Sequence, residues 1–237
     1  PVVGDVISNL HRLEGVINSS DLIFKTDDEF LAPDFLITFG RSVISKNLKL
    51  YLRKYKPKVH WHIGERMVGD PFQSLTKIIE TTPFYFFKEW LDKGKEINYQ
   101  DDYLNLLSDA QKEVDENLKL KLDKIDFNYF NAVQKVIQHL PENSMLHLGN
   151  SMPVRIANFA GIDDPSIHVW CNRGTSGIDG ILSTAVGHSL ADLNLKHTLI
   201  IGDLSFFYDR NGLWLNHEFP QNLRIVILND SGGGIFN

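Results

Sequence analysis

The chain has 237 residues, of which 43% are hydrophobic and 23% charged, a composition that suits one large or two modest folded domains and excludes a largely disordered chain. Lys plus Arg number 24 against 30 Asp plus Glu, a net charge of −6 with no basic block, which excludes a nucleic-acid backbone as the main partner. The single cysteine, Cys171, excludes an internal disulfide framework and a cysteine-based zinc site and fits a reducing, cytoplasmic setting, while no apolar run reaches the ~20 residues of a membrane-spanning helix.

The chain opens PVVGDVISNL, without an initiator Met or a signal-like segment, and stops at GGGIFN just after a strand, so both ends read as cut. FLITFG (35–40) is a short apolar run closed by Gly and predicts a buried strand. Residues 42–54 set Val43, Leu48, Leu50 and Leu52 among basic side chains, the pattern of a surface helix. KVHWHIG (58–64) alternates and predicts a second strand, so the order favours an α/β layer. His60 and His62 share a face of that strand; with no third ligand in view they read as surface or packing histidines. Phe84, Tyr85, Phe86 and Phe87 read as core or interface. Residues 103–122, rich in Leu, Lys, Glu and Asp without Gly or Pro, predict a polar linking helix.

The second half is more regular. A helix is expected over 127–140, with Val133, Val136, Ile137 and Leu140 on one face and Pro141 as its stop. MLHLG (145–149) predicts a strand, 153–159 a short helix, and IHVW (167–170) the next strand. Residues 178–190 repeat apolar side chains at helical spacing, and HTLIIGD (197–203) and LRIVILND (223–230) are unbroken apolar runs with a helical segment between them. Alternating helices and unbroken apolar strands imply an α/β fold of parallel sheets flanked by helices. The expected organisation is a central α/β domain over 1–123 and a second α/β domain over 124–237, with the boundary between 118 and 127.

Open parallel sheets bind ligands beyond the carboxyl ends of their strands. In the second half those ends deliver GNSMPVR (149–155), CNRGTSGIDG (171–180), GDLSF (202–206) and NDSGGGIF (229–236), all rich in Gly, hydroxyl groups and charge. A structural turn needs one or two such residues, not four clusters on one edge. Asp203 and Asp230 each follow an apolar strand, and they converge if the strands are neighbours. Two carboxylates, a main-chain carbonyl and phosphate oxygens make the octahedral oxygen shell that Mg²⁺ prefers. Gly232 to Gly234 let the backbone approach a ligand, and Gly202 and Ser205 offer N–H and O–H to phosphate. The alternative is that Asp203 and Asp209 cap the following helix and the glycines are a plain loop.

The run from GDLS to NDSGGG resembles the metal–diphosphate motif of thiamine-diphosphate enzymes, with Asp230 where that motif usually has Asn. The segments GNSMPVR, NRGTSGIDGILSTAVG, GDLSFFYDRNGL and NDSGGGIF together resemble the 2-succinyl-5-enolpyruvyl-6-hydroxy-3-cyclohexene-1-carboxylate synthase family of menaquinone biosynthesis. The resemblance covers most of 145–237, with weaker motifs (PDFLITFG, VISK) in the first half. It implies a thiamine-diphosphate-dependent transferase that decarboxylates 2-oxoglutarate and adds the remaining unit to isochorismate. Asp203, Asp230 and the carbonyl of Gly232 are then expected to hold Mg²⁺ or Mn²⁺. Ile178, Gly202, Asp203, Leu204, Ser205 and Gly233 are expected to meet the cofactor, Ile178 as the prop for its bent shape. Ser151, Arg155 and Arg173 are expected to bind substrate carboxylates, since Arg offers a fork suited to them, and Ile235 and Phe236 to line the apolar part of the pocket. Taken without the resemblance, each Arg is a solvated surface charge and Ile178, Ile235 and Phe236 are core residues. The family's catalytic Glu belongs to an N-terminal pyrimidine-binding domain of a partner subunit, so a homodimer or homotetramer is expected of the full-length protein, and a fragment here that is inactive and binds the cofactor poorly. Other readings are a different thiamine-dependent 2-oxoacid decarboxylase or carboligase and a non-catalytic interface or regulatory module. A nucleotide-binding Rossmann domain lacks its GxGxxG near the start.

Overall fold

A computed structural model describes residues 1–41, 43–65, 69–94, 102–122, 126–214 and 219–230. They divide into two units, Pro1 with Ser19–Asp115 and Val2–Asn18 with Glu116–Asn237. The sequence reading kept 1–123 as one block; the units divide instead after Asp115, inside a helix, and Val2–Asn18 joins the second unit. That N-terminal piece carries β1 (Val2–Val3) and β2 (Val16–Ile17), paired in parallel. Between them the Asn9 amide donates to the Val169 carbonyl at 3.0 Å and accepts from the Val169 N–H at 2.7 Å. A side chain that bonds a strand's main chain twice in this way covers an otherwise open sheet edge.

The first unit contains α1 (Ser20–Ile23), β3 (Phe35–Phe39), α2 (Lys46–Lys54), β4 (Val59–Ile63), β5 (Lys77–Ile79) and α3 (Pro83–Lys93). α4 (Asp102–Leu122) is the helix that crosses the division. The strands form a parallel sheet in the order β3-β4-β5, with Phe35 opposite Val59 and Trp61 opposite Lys77. α2 starts later than its apolar pattern suggests because Ser45 caps it, its hydroxyl accepting from Leu48 N–H at 3.1 Å and donating to Asp21 at 2.7 Å. Leu48, Tyr51 and Leu52 form its buried face, whereas Leu50 is exposed. His60 and His62 are buried packing residues, both within hydrogen-bond distance of the Thr38 hydroxyl, at 2.9 and 3.0 Å. In α3 the core reading fails for Phe84 and Tyr85, which are 80% and 56% exposed, while Phe87 packs edge-on against Phe39 at 5.3 Å.

The second unit contains α5 (Tyr129–Gln138), β6 (Met145–Leu148), α6 (Met152–Ala160), β7 (His168–Trp170), α7 (Ile181–Ala191), β8 (His197–Gly202), α8 (Asp203–Asp209) and β9 (Leu223–Leu228). Its strands are all parallel, in the order β7-β6-β8-β9. β8 is buried along His197–Ile201, as an interior strand covered on both faces must be. Leu199 and Ile201 pack with Ile181, Leu182, Ala185 and Val186 of α7. The alternate residues Leu146, Leu148 and Ile200 are equally buried and belong to the opposite face. α7 begins at Ile181 and not at Ile178, because Gly180 at φ 78° turns the chain just before it. Among the described residues no helix is long and apolar enough to cross a membrane.

Candidate functional site

The chain leaves β6 for β7 on one side and returns to β8 on the other. Because such crossovers are right-handed, α6 and α7 leave on opposite faces, and their loops part over the carboxyl ends of β6 and β8. That reversal of strand order is where open α/β sheets form a ligand crevice. The Gly149 N–H, bonded to the Ile200 carbonyl at 2.8 Å, closes the ladder between the two strands at this point.

From β6 the chain enters α6 through Asn150 and Ser151. Ser151 has φ 70° and makes no side-chain cap bond, a conformation that non-glycine residues hold only where the surroundings impose it. Arg155 lies one helical turn further along and is exposed, so the two side chains share a flank of the helix. Asn150 is buried and forms a hub. Its amide donates to the carbonyls of Asn172 at 2.8 Å and Gly177 at 2.6 Å, and its oxygen accepts from Arg173 at 2.8 Å. The Arg173 Nε–H is buried and has no acceptor among the described residues, while one terminal nitrogen of its guanidinium is anchored on Asn150. Asn172 holds the far end of the same loop, donating to the Gly180 carbonyl at 3.1 Å and the Thr184 hydroxyl at 3.0 Å. Cys171 lies against Asn150 with its thiol pushed up to about 11, chiefly by burial and against the pull of Arg173. It is therefore a packing residue and not a nucleophile.

At the end of β8 the buried Ser205 hydroxyl donates to the Ile178 carbonyl, tying the β7–α7 loop to the first turn of α8. Ile178 is half-buried in that loop, outside the helix that its spacing suggested. Asp203 is the first residue of α8, and its carboxylate accepts from Leu204 N–H at 2.7 Å. Gly202 pairs with Leu228, so Asp203 and Asp230 lie just past the ends of adjacent strands. The Tyr129 phenol at the start of α5 senses both: its pKa is raised first by burial, then by the charges of Asp230 and Asp203. Asp209 does not cap its own helix; it accepts from the Ser183 N–H at 2.7 Å and hydroxyl at 2.6 Å, joining α8 to the first turn of α7. Gly232, Gly233, Ile235 and Phe236 lie outside the described residues.

The structure thus gathers Ser151, Arg173, Ile178, Gly202, Asp203, Leu204, Ser205 and Asp230 at one edge of the sheet, with Arg155 on its rim. Asn150 and Tyr129 belong to the same edge and were not singled out from sequence. The donor set fits a divalent ion carrying a diphosphate: two carboxylates at neighbouring strand ends and a strand end where a Cβ added at Gly202 meets nothing within 4 Å. The Ser205 hydroxyl, expected to donate to phosphate, is instead spent on the Ile178 carbonyl.

Strand order and register define a doubly wound α/β unit with a carboxylate pair at the strand ends beside its switch point. No family model matches the chain. The 2-succinyl-5-enolpyruvyl-6-hydroxy-3-cyclohexene-1-carboxylate synthase of Flavobacterium psychrophilum is 42% identical over 238 residues, 99% of this chain and 42% of the relative. The synthase of the same name from Cytophaga hutchinsonii is 42% identical over 247 residues, 100% of this chain and 42% of the relative. That of Christiangramia forsetii is 40% identical over 259 residues. At this identity over nearly its whole length, the chain is a homologue of the 2-succinyl-5-enolpyruvyl-6-hydroxy-3-cyclohexene-1-carboxylate synthases. It spans about two fifths of the length of the curated relatives it matches.

Proposed function

We propose that the chain is the central and diphosphate-binding part of a thiamine-diphosphate-dependent synthase that joins a 2-oxoglutarate-derived unit to isochorismate in menaquinone biosynthesis. The observation that carries the reading is the placement of the Asp203–Asp230 carboxylates and the Asn150-anchored Arg173 along the carboxyl edge of one parallel sheet, in a chain 42% identical to synthases of that name. When bound, thiamine diphosphate supplies the nucleophilic carbon that expels CO₂ from a 2-oxoacid and passes the acyl unit to an acceptor.

The residues of this chain position and polarise. Asp203, Asp230 and the Gly232 carbonyl hold Mg²⁺ or Mn²⁺, and the metal carries the diphosphate. Gly202, Leu204, Ser205 and Gly233 line the diphosphate, and Ile178, fixed through its carbonyl by Ser205, supports the cofactor's bent form. Ser151, Arg155 and Arg173 take the substrate carboxylates, while Ile235 and Phe236 cover the apolar part of the pocket. Asp230 in place of the usual Asn adds a negative charge beside the diphosphate, so affinity rests more heavily on the metal. No carboxylate of this chain is assigned the proton transfer at the cofactor's aminopyrimidine. By the resemblance that glutamate belongs to a pyrimidine-binding domain of a partner subunit, in a cytoplasmic homodimer or homotetramer.

Calorimetric titration with thiamine diphosphate tests the metal assignment. Binding is expected with Mg²⁺, weakened at least about tenfold by chelator or by Asp203→Asn; equally tight binding without divalent ions overturns it. The purified chain alone is expected to show no carboligation, and robust product formation overturns the assignment of the proton-transfer group to another domain.

A further inference from the structure

Away from the strand-end edge, two histidines on the sheet face covered by α7 meet a third from α7 itself. His147 comes from β6, His197 from β8 and His188 from α7, and one ring nitrogen of each lies within 4.8 Å of the other two. The register explains the meeting: Met145 pairs with His197 and His147 with Leu199, so the two strand histidines stand on the face where Leu199 and Ile201 meet α7. They lie on the amino-terminal side of β8; Leu199, the partner of His147, precedes Asp203 by about 13 Å of strand.

One pair of ring nitrogens already stands at the separation of two ligands of one ion. Nε2 of His147 stands 3.2 Å from Nδ1 of His197, close to the ~3.3 Å that separates two imidazole nitrogens bound at ~2.0 Å to a tetrahedral ion. Nε2 of His197 faces the Asp192 carbonyl at 3.3 Å. Donation there leaves Nδ1 with its lone pair directed at the cluster, the outer-sphere contact that orients a ligating histidine. His188 presents its ring to the other two at 5.2 and 4.9 Å between centroids, at 88° and 74°. His147 is fully buried, and its Nδ1 has no hydrogen-bond partner among the described residues. A direct hydrogen bond between His147 and His197 accounts for that pair and gives His188 no part in it. An ion held by all three gives each ring a role. His188 is half-buried and Trp170 beside it is 49% exposed, edge-on at 5.1 Å, which leaves this side of the cluster nearest to solvent.

An all-nitrogen set without carboxylate or thiolate disfavours Mg²⁺ and Ca²⁺, which require oxygen, and favours Zn²⁺ and its neighbours. We propose that His147, His188 and His197 form a site for a zinc-type divalent cation that ties α7 to β6 and β8, separate from the carboxylate edge.

The test is a titration of the chelator-stripped chain with Zn²⁺ or Co²⁺ in excess Mg²⁺, which occupies the carboxylate edge. A single equivalent of Co²⁺ is expected to give the strong visible absorption of a tetrahedral nitrogen-ligated ion, and Zn²⁺ is expected to raise the melting temperature by binding only the folded state. His188→Gln, at a half-buried helix position, is expected to melt like wild type in chelator yet bind at least about tenfold more weakly. His147→Phe supplies a second variant whose far-ultraviolet circular dichroism reports folding. Asp203→Asn is expected to leave the Co²⁺ spectrum unchanged. Absence of the spectrum in the wild type, equal affinity in His188→Gln, or loss of the signal in Asp203→Asn overturns the site.

Discussion

The Arg173 guanidinium donates to the buried Asn150 side chain at 2.8 Å, and the same amide holds the carbonyls of Asn172 and Gly177. One side chain thus fixes both the path of the β7–α7 loop and the direction of its arginine. Asn150→Asp keeps the acceptor for Arg173 but sets a carboxylate oxygen against two carbonyls. It is expected to destabilise the chain by about 2 kcal/mol, the scale of buried polar groups left unpaired, and to weaken 2-oxoglutarate binding by neutralising the arginine. Urea denaturation and calorimetric titration check the two effects. A loss under about 0.5 kcal/mol removes Asn150 from the role of hub.

Gly212 lies in the short 3-10 turn Arg210–Leu213, against the first turn of α7. A Cβ there falls 3.0 Å from Ser183 Cα and 3.1 Å from Ser183 N, main-chain atoms that cannot rotate away. Gly212→Ala is expected to cost about 1–3 kcal/mol by overpacking. The strain passes to the Asp209–Ser183 junction and, along α8, to Asp203. Melting curves in chelator measure the stability term, and Mg²⁺ titration with thiamine diphosphate measures the displacement. An unchanged melting temperature sinks the close-contact argument.

The strands of the second unit were legible because an interior parallel strand must be apolar on both faces, and HTLIIG writes that directly. Asp203 and Asp230 were legible for the same reason: each is the first carboxylate beyond such a run. Asn150 was not, because an Asn after Gly reads as a turn residue, and its partners lie 22 to 27 residues away. Tyr129 opens a helix remote in sequence from both carboxylates, so only the folded chain brings it under their field. The apolar side chain of Ile178 matched the helical period of its successors, but Gly180 intervenes and leaves it in the loop. β5 is three residues long and α3 has aromatic side chains on exposed as well as half-buried faces, so neither carries a clean period.

His60 and His62 make the first unit acid-sensitive. Burial holds both below the ordinary imidazole value; Asp70 opposes this at His60, while the neighbouring His62 adds to it. The surrounding groups from β3 and the β4–β5 connection are the hydroxyls of Thr38 and Ser74 and the ring of Phe72. Below about pH 6.5 the unfolded chain takes up protons at these positions and the folded chain resists, so stability falls as pH falls and is flat above about pH 7. Urea denaturation between about pH 7 and pH 5 is expected to show a smaller slope in His60→Gln than in the wild type. The difference between the slopes isolates this residue from the other depressed histidines. Identical slopes contradict the buried neutral state.

Gly202→Ala separates the structural role of the strand end from its role in binding. Gly202 sits at φ −74° and ψ 157°, extended backbone that alanine adopts without strain, and a Cβ there meets no atom within 4 Å. Folding is therefore expected to be unharmed or slightly favoured, by up to about 1 kcal/mol, because alanine restricts the unfolded chain more than glycine does. Under the proposed function, the new methyl stands in the path of a diphosphate approaching the main chain beside Asp203. Thiamine diphosphate affinity in Mg²⁺ is expected to drop at least about tenfold while the melting temperature in the absence of cofactor holds or rises. Should Gly202→Ala bind the cofactor as well as the wild type, the diphosphate does not lie against this strand end, and the assignment of Gly202 and Ser205 to it falls with the result.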